Sequence, residues 1–483
     1  MNNKKFYITT AIAYTNSAPH LGHAYEFITT DCIARWHRLL GEDVFFLTGT
    51  DEHGQKVENA ALKSGKRTQE FVDFIVGHFK RLCEIYNISN DNFIRTTDPK
   101  HIEFCKKIFK KVYDNGDIYK GKYSGYYCTA CERYYTDKEL IKEMCPVHKQ
   151  KVEWVSEESY FFKMSKYSNS VLKFLENKNV IIPEFRRKEM INRVKEGLKD
   201  LSISRTSFKW GIPLPIDEKH IIYVWFDALL NYLSGADKKY WPADVHVIGK
   251  DILWFHSVIW PSILTAAGYK MPEQIFVHGF INVKGEKLSK TSGLVIDPFI
   301  LAEKYPVDAV RYFLLREIPS GQDGDFSEDA LKNRLNNELA NDFGNLVSRV
   351  AAMSEKYFDG KIKGEIDAKL IKKSMIFDKV NKEMQNLRMD KALDIIWAFV
   401  KECNAYVNDK EPWKEEDKEK LGSTLISVVE GIRRICIYLD AFIPSSAAKI
   451  RKQFGFKPEK FSDLDKSINS VKVSKAEILF KKI

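Results

Sequence analysis

The chain of 483 residues is too long for one hydrophobic core, so we expect two to four domains. Its hydrophobic content of 44% suits a soluble globular protein, and its formal net charge of +10 permits a polyanionic partner without requiring one. The eight cysteines are not a disulfide framework in so long a chain without a convincing secretion signal, which excludes a disulfide-rich secreted protein and indicates a cytoplasmic one.

The first predicted strand and helix frame a short motif. An apolar run at 6–13 predicts the strand, and apolar residues at helical spacing over 24–40 predict a helix that Gly41 ends. The sequence Pro-His-Leu-Gly-His at 19–23 therefore occupies a strand-to-helix turn. Free backbone N–H groups and the positive end of the helix make such a turn suitable for phosphate.

Three residues of this motif suit a bound nucleotide. His20 and His23 can donate hydrogen bonds to phosphate oxygens and stabilise charge during transfer. Gly22 allows a nucleotide to approach the backbone closely. Taken alone, the motif also fits an ordinary loop with two surface histidines, because short motifs often match by accident.

A second strand is predicted at 44–47, and the sequence Thr-Gly-Thr-Asp-Glu-His-Gly follows it directly. Acidic residues just past a strand end lie where open α/β sheets bind ligands, which draws attention to Asp51. Helical patterns follow at 71–86 and 100–113. The alternation of strands and helices predicts the α/β class, with a Rossmann-type doubly wound parallel sheet.

The alternation breaks at 118–220, where two pairs of metal-binding residues occur. Cys128 with Cys131, and Cys145 with His148, each enclose two residues, and thirteen residues separate the pairs. This spacing predicts a zinc knuckle with four protein ligands and no open position, so the zinc is structural and not a Lewis acid. The alternative is a set of reduced cysteines beside an accidental histidine.

The central sheet is predicted to resume at 221–225 and to continue with strands at 244–249 and 274–278. Between the last two strands, 252–269 carries no formal charge and reaches the length of a membrane span. The polar residues within this stretch and the lack of a second span favour a buried helix instead. The region with the knuckle is therefore an insertion into one nucleotide-binding domain.

No strands are predicted beyond Gly293. Ser327 has the right type and the right acidic neighbours to begin a helix, and apolar residues over 421–439 step by four and three, as in a helical bundle. The predicted units are a split nucleotide-binding domain at 1–117 and 221–284, an insertion at 118–220, a region with a lysine-rich loop at 285–344, and an α-helical domain at 345–483.

A second motif, Lys-Leu-Ser-Lys-Thr at 287–291, lies between Gly285 and Gly293. Two lysines three residues apart beside two hydroxyls can hold a triphosphate, although most lysine-rich loops are only solvated. Together with the histidine motif, this sequence resembles the two signatures of class I aminoacyl-tRNA synthetases. Leu288 and Thr291 depart conservatively from the second signature and leave both lysines in place.

Further stretches resemble the methionyl-tRNA synthetase family nearly from end to end. They are AIAYTNSAPHLGH, TDEHG, the cysteine knuckle, VWFDALLNY, VIGKDILWFH and FVHGF. The resemblance implies a ligase that activates L-methionine with ATP to methionyl-adenylate and pyrophosphate, then transfers methionine to the 3′-terminal adenosine of its tRNA. It also implies one structural Zn²⁺ per chain, Mg²⁺ with ATP, and both initiator and elongator methionine tRNA as partners, with no membrane and no obligate protein partner.

The resemblance implies the site residues, which are grouped here by role. The catalytic residues would be His20, His23, Lys287 and Lys290. ATP would contact His20, Gly22, His23, Gly249, Asp251, His256, Lys287, Ser289 and Lys290. Methionine would contact Ile12, Ala13, Tyr14, Asp51, Trp225, Ala228, Leu229, Tyr232 and His278. The anticodon would contact Asn345, Arg349, Pro412 and Trp413, and the metal Cys128, Cys131, Cys145 and His148.

Physical chemistry agrees with several of these assignments. A carboxylate such as Asp51 is needed because a bound α-ammonium cannot remain unpaired away from water. Aromatic rings suit the polarizable sulfur of methionine, although Trp225 and Tyr232 also fit an ordinary core. Trp413 could likewise cover the core of the helical bundle instead of reading a base.

Two other classes of protein share part of the pattern. A smaller nucleotidyltransferase would have the histidine motif but would lack the helical C-terminal third and the lysine loop. A non-catalytic zinc-knuckle RNA-binding protein would have no reason to carry Asp51 and the two lysines. The insertion is also shorter than the editing insertions of the related leucine, isoleucine and valine enzymes. We expect a monomer, because the dimerising C-terminal domain of some family members is not seen after the bundle.

Overall fold

The structure is a computed structural model that describes residues 4–129, 133–135, 137–147, 149–283, 286–287, 296–475 and 477–483. Its first part alternates strands and helices. In chain order these are β1 (Lys5–Thr10), β2 (Ala13–Tyr14), α1 (Leu21–Leu39), β3 (Asp43–Asp51), α2 (Gln55–Lys63), α3 (Thr68–Ile85), β4 (Asn92–Arg95) and α4 (Pro99–Asp114). Within the described ranges, every helix is too short or too polar to cross a membrane.

The next part contains mostly short strands. They are, with two helices among them, β5 (Ile118–Cys128), β6 (Arg133–Tyr135), β7 (Glu153–Phe162), α5 (Ser168–Glu176), β8 (Ile181–Ile182), α6 (Glu184–Lys195), β9 (Leu201–Ser202), β10 (Ser204–Arg205), β11 (Pro213–Leu214) and β12 (Asp217–Ile222). Strands β5, β6, β7 and β9 form one antiparallel sheet, and β10, β11 and β12 form another.

The α/β pattern then returns. The elements are α7 (Val224–Leu229), α8 (Asn231–Ser234), β13 (Val245–Gly249), α9 (Trp260–Ala267), β14 (Gln274–His278), β15 (Ile281–Val283) and β16 (Glu286–Lys287). A π-helical turn, Phe255–Ile259, leads directly into α9.

The last part is mainly helical. Its elements are α10 (Pro298–Lys304), α11 (Val307–Glu317), β17 (Gly324–Asp325), α12 (Glu328–Asn333), α13 (Asn345–Phe358), β18 (Lys361–Lys363), α14 (Ala368–Lys373), α15 (Phe377–Gln385), α16 (Met389–Lys410), α17 (Lys418–Leu439), α18 (Pro444–Phe454) and β19 (Ser470–Lys472). A π-helical segment, Arg334–Gly344, joins α12 to α13, and Ser327 caps α12 by accepting from Ala330 N–H.

The central sheet has seven strands, all parallel. The pairs, from one edge to the other, are β4 with β3, β3 with β1, β1 with β13, β13 with β14, and β14 with β8. The short strand β2 also pairs with β3. Its central strands are apolar and buried, as strands covered on both faces are. Because parallel strands end at the same edge, the residues after β1, β3, β13 and β14 meet there.

Two expectations about strands are wrong. Residues 221–225 do not resume the central sheet: Ile221 and Ile222 end the antiparallel strand β12, and Val224 begins α7. Strands also occur beyond Gly293, namely β17, β18 and β19. A short apolar run does not reveal which sheet it joins, and strands of two or three residues are too short to show alternation.

The helical part is joined to the sheet part through α1. Arg311 of α11 is fully buried and donates to Asp31 of α1 at 2.7 Å, to the Tyr86 carbonyl at 2.9 Å and to the Phe442 carbonyl at 3.0 Å. Trp36 of α1 packs against Tyr438 of α17. The helix that begins with the histidine motif is therefore held from both parts of the molecule.

Candidate active site

A cavity of about 400 Å³ opens at the carboxyl edge of the central sheet. Its walls come from the segment after β1, the first turns of α1, the end of β3, helices α7 and α8, and the segments after β13 and β14. The residues predicted to contact methionine or ATP all line this cavity, as far as the structure describes their side chains. Of the remaining predicted residues, Ser289 and Lys290 lie outside the described residues, and so does the side chain of Lys287.

The two histidines of the first motif are held by the backbone at the start of α1. His20 caps the helix, and its Nδ1 accepts from Gly22 N–H at 3.1 Å. His23 Nδ1 accepts from His20 N–H, also at 3.1 Å, and the two ring centroids lie 4.0 Å apart. A neutral imidazole that accepts at Nδ1 carries its proton on Nε2. Both rings are thus arranged to donate from Nε2.

Gly22 has no room for a side chain. A Cβ atom at this position would lie 2.8 Å from His20 Cε1, which is closer than such atoms approach each other. An alanine here would displace the ring of His20 from its capping position. The glycine of the motif therefore serves the histidine as well as the approach of a ligand.

Asp51 is the last residue of β3 and is almost fully buried. Its carbonyl accepts from Thr15 N–H at 3.0 Å, which ties the strand end to the loop after β2. The next residue, Glu52, receives two hydrogen bonds from Arg95, at 2.7 and 2.8 Å, and one from Thr97 at 2.6 Å. This ion pair, in which Glu52 is buried and Arg95 is partly exposed, fixes the backbone that presents Asp51.

A second buried network supports the opposite wall. Asp227 of α7 accepts from His53 at 2.7 Å and from His101 at 2.7 Å. Burial by itself would raise the pKa of Asp227, but the charge of His53 and the bonds from both histidines lower it to about 2. Because His53 follows Asp51 by two residues and Asp227 follows Trp225 by two, the network links the two walls of the cavity.

Cys105 joins this network and gives it the composition of a metal site. Its Sγ lies 3.2 Å from His101 Nε2, and that nitrogen lies 2.7 Å from Asp227. Two ligands of one tetrahedral zinc, each about 2.1 Å from the ion, are about 3.4 Å apart. The contact between His101 and Asp227 is thus a hydrogen bond, and the cluster serves to hold α4 against α7.

Aromatic residues form the apolar side of the cavity. Trp225 stacks on Phe255, with ring centroids 3.7 Å apart and planes inclined by 9°. Tyr232 is buried, and its hydroxyl lies 2.8 Å from His256 Nε2, while His256 Nδ1 lies 3.0 Å from the Ile252 carbonyl. A carbonyl can only accept, so Nδ1 carries the proton and Nε2 accepts from Tyr232. Burial lowers the pKa of His256 to about 4, which keeps this ring neutral.

His278 at the end of β14 has an acceptor at each ring nitrogen. Nε2 lies 2.9 Å from a carboxylate oxygen of Glu26, and Nδ1 lies 2.8 Å from the Gly279 carbonyl. Burial opposes a charge on this ring, but the hydrogen bond and the charge of Glu26 raise the pKa of His278. Ala11 N–H donates to the other oxygen of Glu26 at 2.8 Å.

Sequence reasoning missed several of these residues. Glu26, Phe255 and the pair of Glu52 with Arg95 were not predicted, and neither was the cluster around Asp227. One signal for Glu26 was present in the sequence: it follows His23 by three residues, so it shares the face of α1 that carries the motif.

Two of the four predicted zinc ligands lie in one small buried cluster. Cys128 ends β5, Cys145 lies in a turn, and both are packed with Tyr135 away from solvent. The Cys145 thiol is 3.5 Å from the Tyr135 hydroxyl. Two buried thiols, one at the end of a strand and one in a turn, fit a zinc knuckle. The other two predicted ligands, Cys131 and His148, lie outside the described residues.

The predicted anticodon residues lie on α13 and on the turn after α16, and these two elements are in contact. Asn345 and Arg349 are both on α13, and the Arg349 guanidinium lies 5.3 Å from the ring centroid of Trp413. Pro412 is buried, whereas Trp413 is 45% exposed, so the tryptophan does not fill the bundle core. Asn408, which sequence reasoning missed, lies 3.5 Å from both terminal nitrogens of Arg349.

Comparison with known sequences gives a consistent result over the whole chain. The profile of the family described as tRNA synthetases class I (M) matches residues 6–153 and 138–351. The methionine–tRNA ligase of Clostridium acetobutylicum is 45% identical, over 99% of this chain and 78% of the relative. That of Brucella suis is 45% identical, over 93% of this chain and 92% of the relative.

Comparison with solved structures extends the similarity to the fold. Mycobacterium tuberculosis methionyl-tRNA synthetase in complex with methionyl-adenylate has a TM-score of 0.95 and 41% identity, with 99% of each chain covered. Its apo form has a TM-score of 0.87 and 38% identity, covering 100% of this chain and 98% of that one.

Proposed function

The chain belongs to the methionine–tRNA ligase family of class I tRNA synthetases, and from this we propose that methionine and ATP react in the cavity at the carboxyl edge of the sheet. The enzyme activates L-methionine with ATP to methionyl-adenylate and pyrophosphate, then transfers methionine to the 3′-terminal adenosine of its tRNA. The observation that carries the assignment to this cavity is that one cavity unites the histidine motif, Asp51 and the aromatic cluster.

Methionine binds with its ammonium at Asp51 and its side chain among the aromatic residues. A buried carboxylate compensates an ammonium that has left water, and the rigid network around Glu52 and Asp227 keeps it in place. The thioether packs on Trp225 and lies beside Tyr232 and His278, with Ile12, Ala13, Tyr14, Ala228 and Leu229 completing the pocket.

ATP binds beside methionine, along the start of α1 and the segment after β13. The Nε2–H groups of His20 and His23 and the helix N-terminus bind the phosphates. Gly249, Asp251 and His256 lie near the adenosine, and Gly22 leaves space for the nucleotide. Lys287, Ser289 and Lys290 contact the phosphates, with the two lysines on the leaving pyrophosphate, and Mg²⁺ accompanies the triphosphate.

The first step needs no nucleophile from the protein. The methionine carboxylate attacks the α-phosphorus in line, the bond from phosphorus to the bridging oxygen breaks, and pyrophosphate leaves with that oxygen. The protein contributes by holding the two substrates in contact and by stabilising the charge that develops on the phosphates. His20 and His23 serve as hydrogen-bond donors in this step, not as bases, since their Nδ1 atoms are already engaged.

We propose four units for the chain: a split catalytic domain, an insertion, a stem-contact region and a helical anticodon-binding domain, with the boundaries given above. One strand within the insertion, β8, joins the central sheet by pairing with β14. In the last unit, an exposed tryptophan beside an arginine supports recognition of unpaired anticodon bases by stacking.

Cys128, Cys131, Cys145 and His148 hold one structural zinc in the insertion. The enzyme acts as a cytoplasmic monomer on initiator and elongator tRNA.

One assay tests the proposed reaction: exchange of pyrophosphate into ATP, measured with each of the twenty amino acids in turn. The proposal predicts exchange with methionine that exceeds exchange with the other nineteen. Exchange that does not require an amino acid would instead indicate another nucleotidyltransferase. Absence of exchange from a folded, ATP-binding protein would overturn the proposal.

A further inference from the structure

A second cavity, of about 660 Å³, lies in the helical part, and none of the residues assigned above lines it. It is formed by the two-stranded sheet of β18 and β19 together with the segment that follows α18. Its charged side chains are predominantly basic. They are Lys361, Lys363, Arg433, Lys457, Glu459 and Lys472.

The small sheet directs its lysines to one face. Ile362 is buried, so its neighbours Lys361 and Lys363 lie on the opposite, exposed face of β18. In the antiparallel register Lys361 is directly across from Lys472, and Lys363 is across from Ser470. Like charges directly opposite each other destabilise a sheet. This arrangement therefore costs folding free energy, which a bound anion would offset.

The acidic residues near the cavity already form ion pairs with an arginine. Arg433 is buried and is held by both oxygens of Glu430, at 2.7 and 2.8 Å, and by Glu459. Across the described part of the chain, Lys361, Lys363, Lys457 and Lys472 each lie beyond 4.0 Å of any carboxylate. The open side of the cavity thus has a net positive charge that the protein itself does not neutralise.

One helix, α17, contacts both the strand β18 that lines the cavity and the turn that carries Trp413. The end of β18 touches α17 near its start, where Glu365 N–H donates to Ser423 Oγ at 3.1 Å and a Cβ on Gly422 would meet the Lys363 carbonyl at 2.6 Å. The turn that carries Trp413, Pro412–Lys414, packs against the same helix. The cavity and the turn with Trp413 therefore both contact α17, the cavity from the start of this helix to Arg433 in its second half.

We propose that this cavity binds the phosphate backbone of the tRNA next to the anticodon loop, with Lys361, Lys363 and Lys472 as the phosphate contacts. The proposal rests on the proposed function, because it takes the helical part as the anticodon-binding domain. Lysine ammonium groups are point charges that bind phosphate without fixed geometry. Lys361 and Lys363 are about 6.7 Å apart along the strand, which allows them to reach successive phosphates.

The test compares two triple variants of the full-length enzyme. One carries Lys361→Ala, Lys363→Ala and Lys472→Ala; the matched control carries Lys369→Ala, Lys379→Ala and Lys382→Ala, which removes the same charge from exposed lysines on α14 and α15. The dissociation constant for a methionine tRNA transcript is measured over a series of salt concentrations. Exchange of pyrophosphate with methionine and the melting temperature are measured in parallel.

The proposal predicts at least tenfold weaker tRNA binding by the cavity variant at low salt. The slope of log Kd against log salt concentration should fall by about 2–3, which is three phosphate contacts at about 0.7–0.9 each. Methionine-dependent exchange and melting temperature should remain those of the wild type. A third variant, with arginine at the three cavity positions, should retain the wild-type affinity.

Identical Kd values and slopes for the cavity and control variants would overturn the proposal. This result is distinct from a failure of the proposed function, in which the unmodified enzyme itself would not bind or charge the transcript. A cavity variant that loses affinity and exchange together would also contradict the proposal, since the phosphate contacts do not line the active-site cavity.

Discussion

Glu26 of α1 and His278 at the end of β14 are 2.9 Å apart, carboxylate oxygen to Nε2, and both line the active-site cavity. The Gly279 carbonyl accepts from the other ring nitrogen, so Nδ1 carries a proton. Burial raises the pKa of Glu26 and opposes a charge on the ring, but the hydrogen bond and the charge of Glu26 raise the pKa of His278, which favours an imidazolium beside a carboxylate. The contact joins the helix of the nucleotide motif to the strand end that contributes to the methionine pocket. The pair therefore connects the two proposed substrate sites by a direct hydrogen bond.

Replacing Glu26 with glutamine tests this pair, because the amide has the same shape but no charge. An amide N–H facing Nε2 would force that nitrogen to accept, so His278 would become neutral while both hydrogen bonds survive. We expect the KM for methionine to rise about fivefold, the equivalent of about 1 kcal/mol lost from a charge-assisted bond. Exchange kinetics with methionine and ATP varied separately provide the measurement.

The matched control for this variant is Glu42→Gln. Glu42 forms the same type of pair with His37 at the other end of α1, away from the cavity. Both variants lose a carboxylate–histidine pair, but only Glu26→Gln should change the KM for methionine. Equal kinetic effects from the two variants would show that Glu26 acts on stability alone.

The neutral state of His256 makes part of the stability of the enzyme depend on pH. Its pKa is about 4 in the folded protein and near 6.5 when unfolded, so the unfolded chain binds the proton more tightly. Stability should fall as pH decreases from about 6.5 to 4, by up to about 3 kcal/mol, and this contribution should level off below pH 4. Melting temperatures of the wild type and His256→Asn, measured across this range, should converge as the pH falls. A constant difference between the two proteins would exclude His256 as the cause.

The insertion should contain one zinc ion per chain. Cys145→Ser removes one of the buried thiols of the proposed site and should abolish zinc binding, as measured by elemental analysis. Limited proteolysis should then cut more rapidly within the insertion, while ATP binding by the catalytic domain persists. Cys83→Ser serves as the control, since Cys83 is also buried but lies on α3. A Cys145→Ser protein that retains stoichiometric zinc would contradict this ligand set.

Trp413 should affect tRNA charging and little else. Because Trp413 is 45% exposed and does not fill the bundle core, Trp413→Ala should leave the melting temperature and methionine-dependent exchange nearly unchanged. Loss of one base stack should weaken tRNA binding by about 1–3 kcal/mol. Charging assays with wild-type and anticodon-substituted tRNA provide the measurement, and the Trp413→Ala variant should discriminate less between the two. Equal charging of both tRNAs by the unmodified enzyme would exclude anticodon recognition.

Much of the active site could be predicted because its residues occur in compact motifs. His20, Gly22 and His23 belong to one turn, and Asp51 ends a strand, so local sequence was sufficient to select them. Glu26 was missed because a glutamate on a helix usually faces solvent, and its partner His278 is 252 residues away. Such a contact depends on the order of strands in the sheet, which local patterns do not contain.

The limits of prediction for the fold have the same origin. Residues 221–225 looked like a sheet strand because an apolar run does not specify its partner, and in the structure they include the end of β12 and the start of α7. The strands β18 and β19 are separated by more than a hundred residues, so the lysine face they form could not be read from either segment. The exposure of Trp413 likewise depends on packing between α13 and α17 and not on its neighbours in sequence.

The central claim is that the cavity around Asp51 forms methionyl-adenylate, and trapping that intermediate tests it most directly. The enzyme would be mixed with ATP and labelled methionine without tRNA, separated from free label, and then given methionine tRNA. We predict about one labelled adenylate per chain, transferred to the tRNA on its addition, and no trapped label for Asp51→Asn, in which an unpaired ammonium costs about 3–5 kcal/mol. Stoichiometric trapping by Asp51→Asn, or no transfer from the wild type to tRNA, would contradict the account.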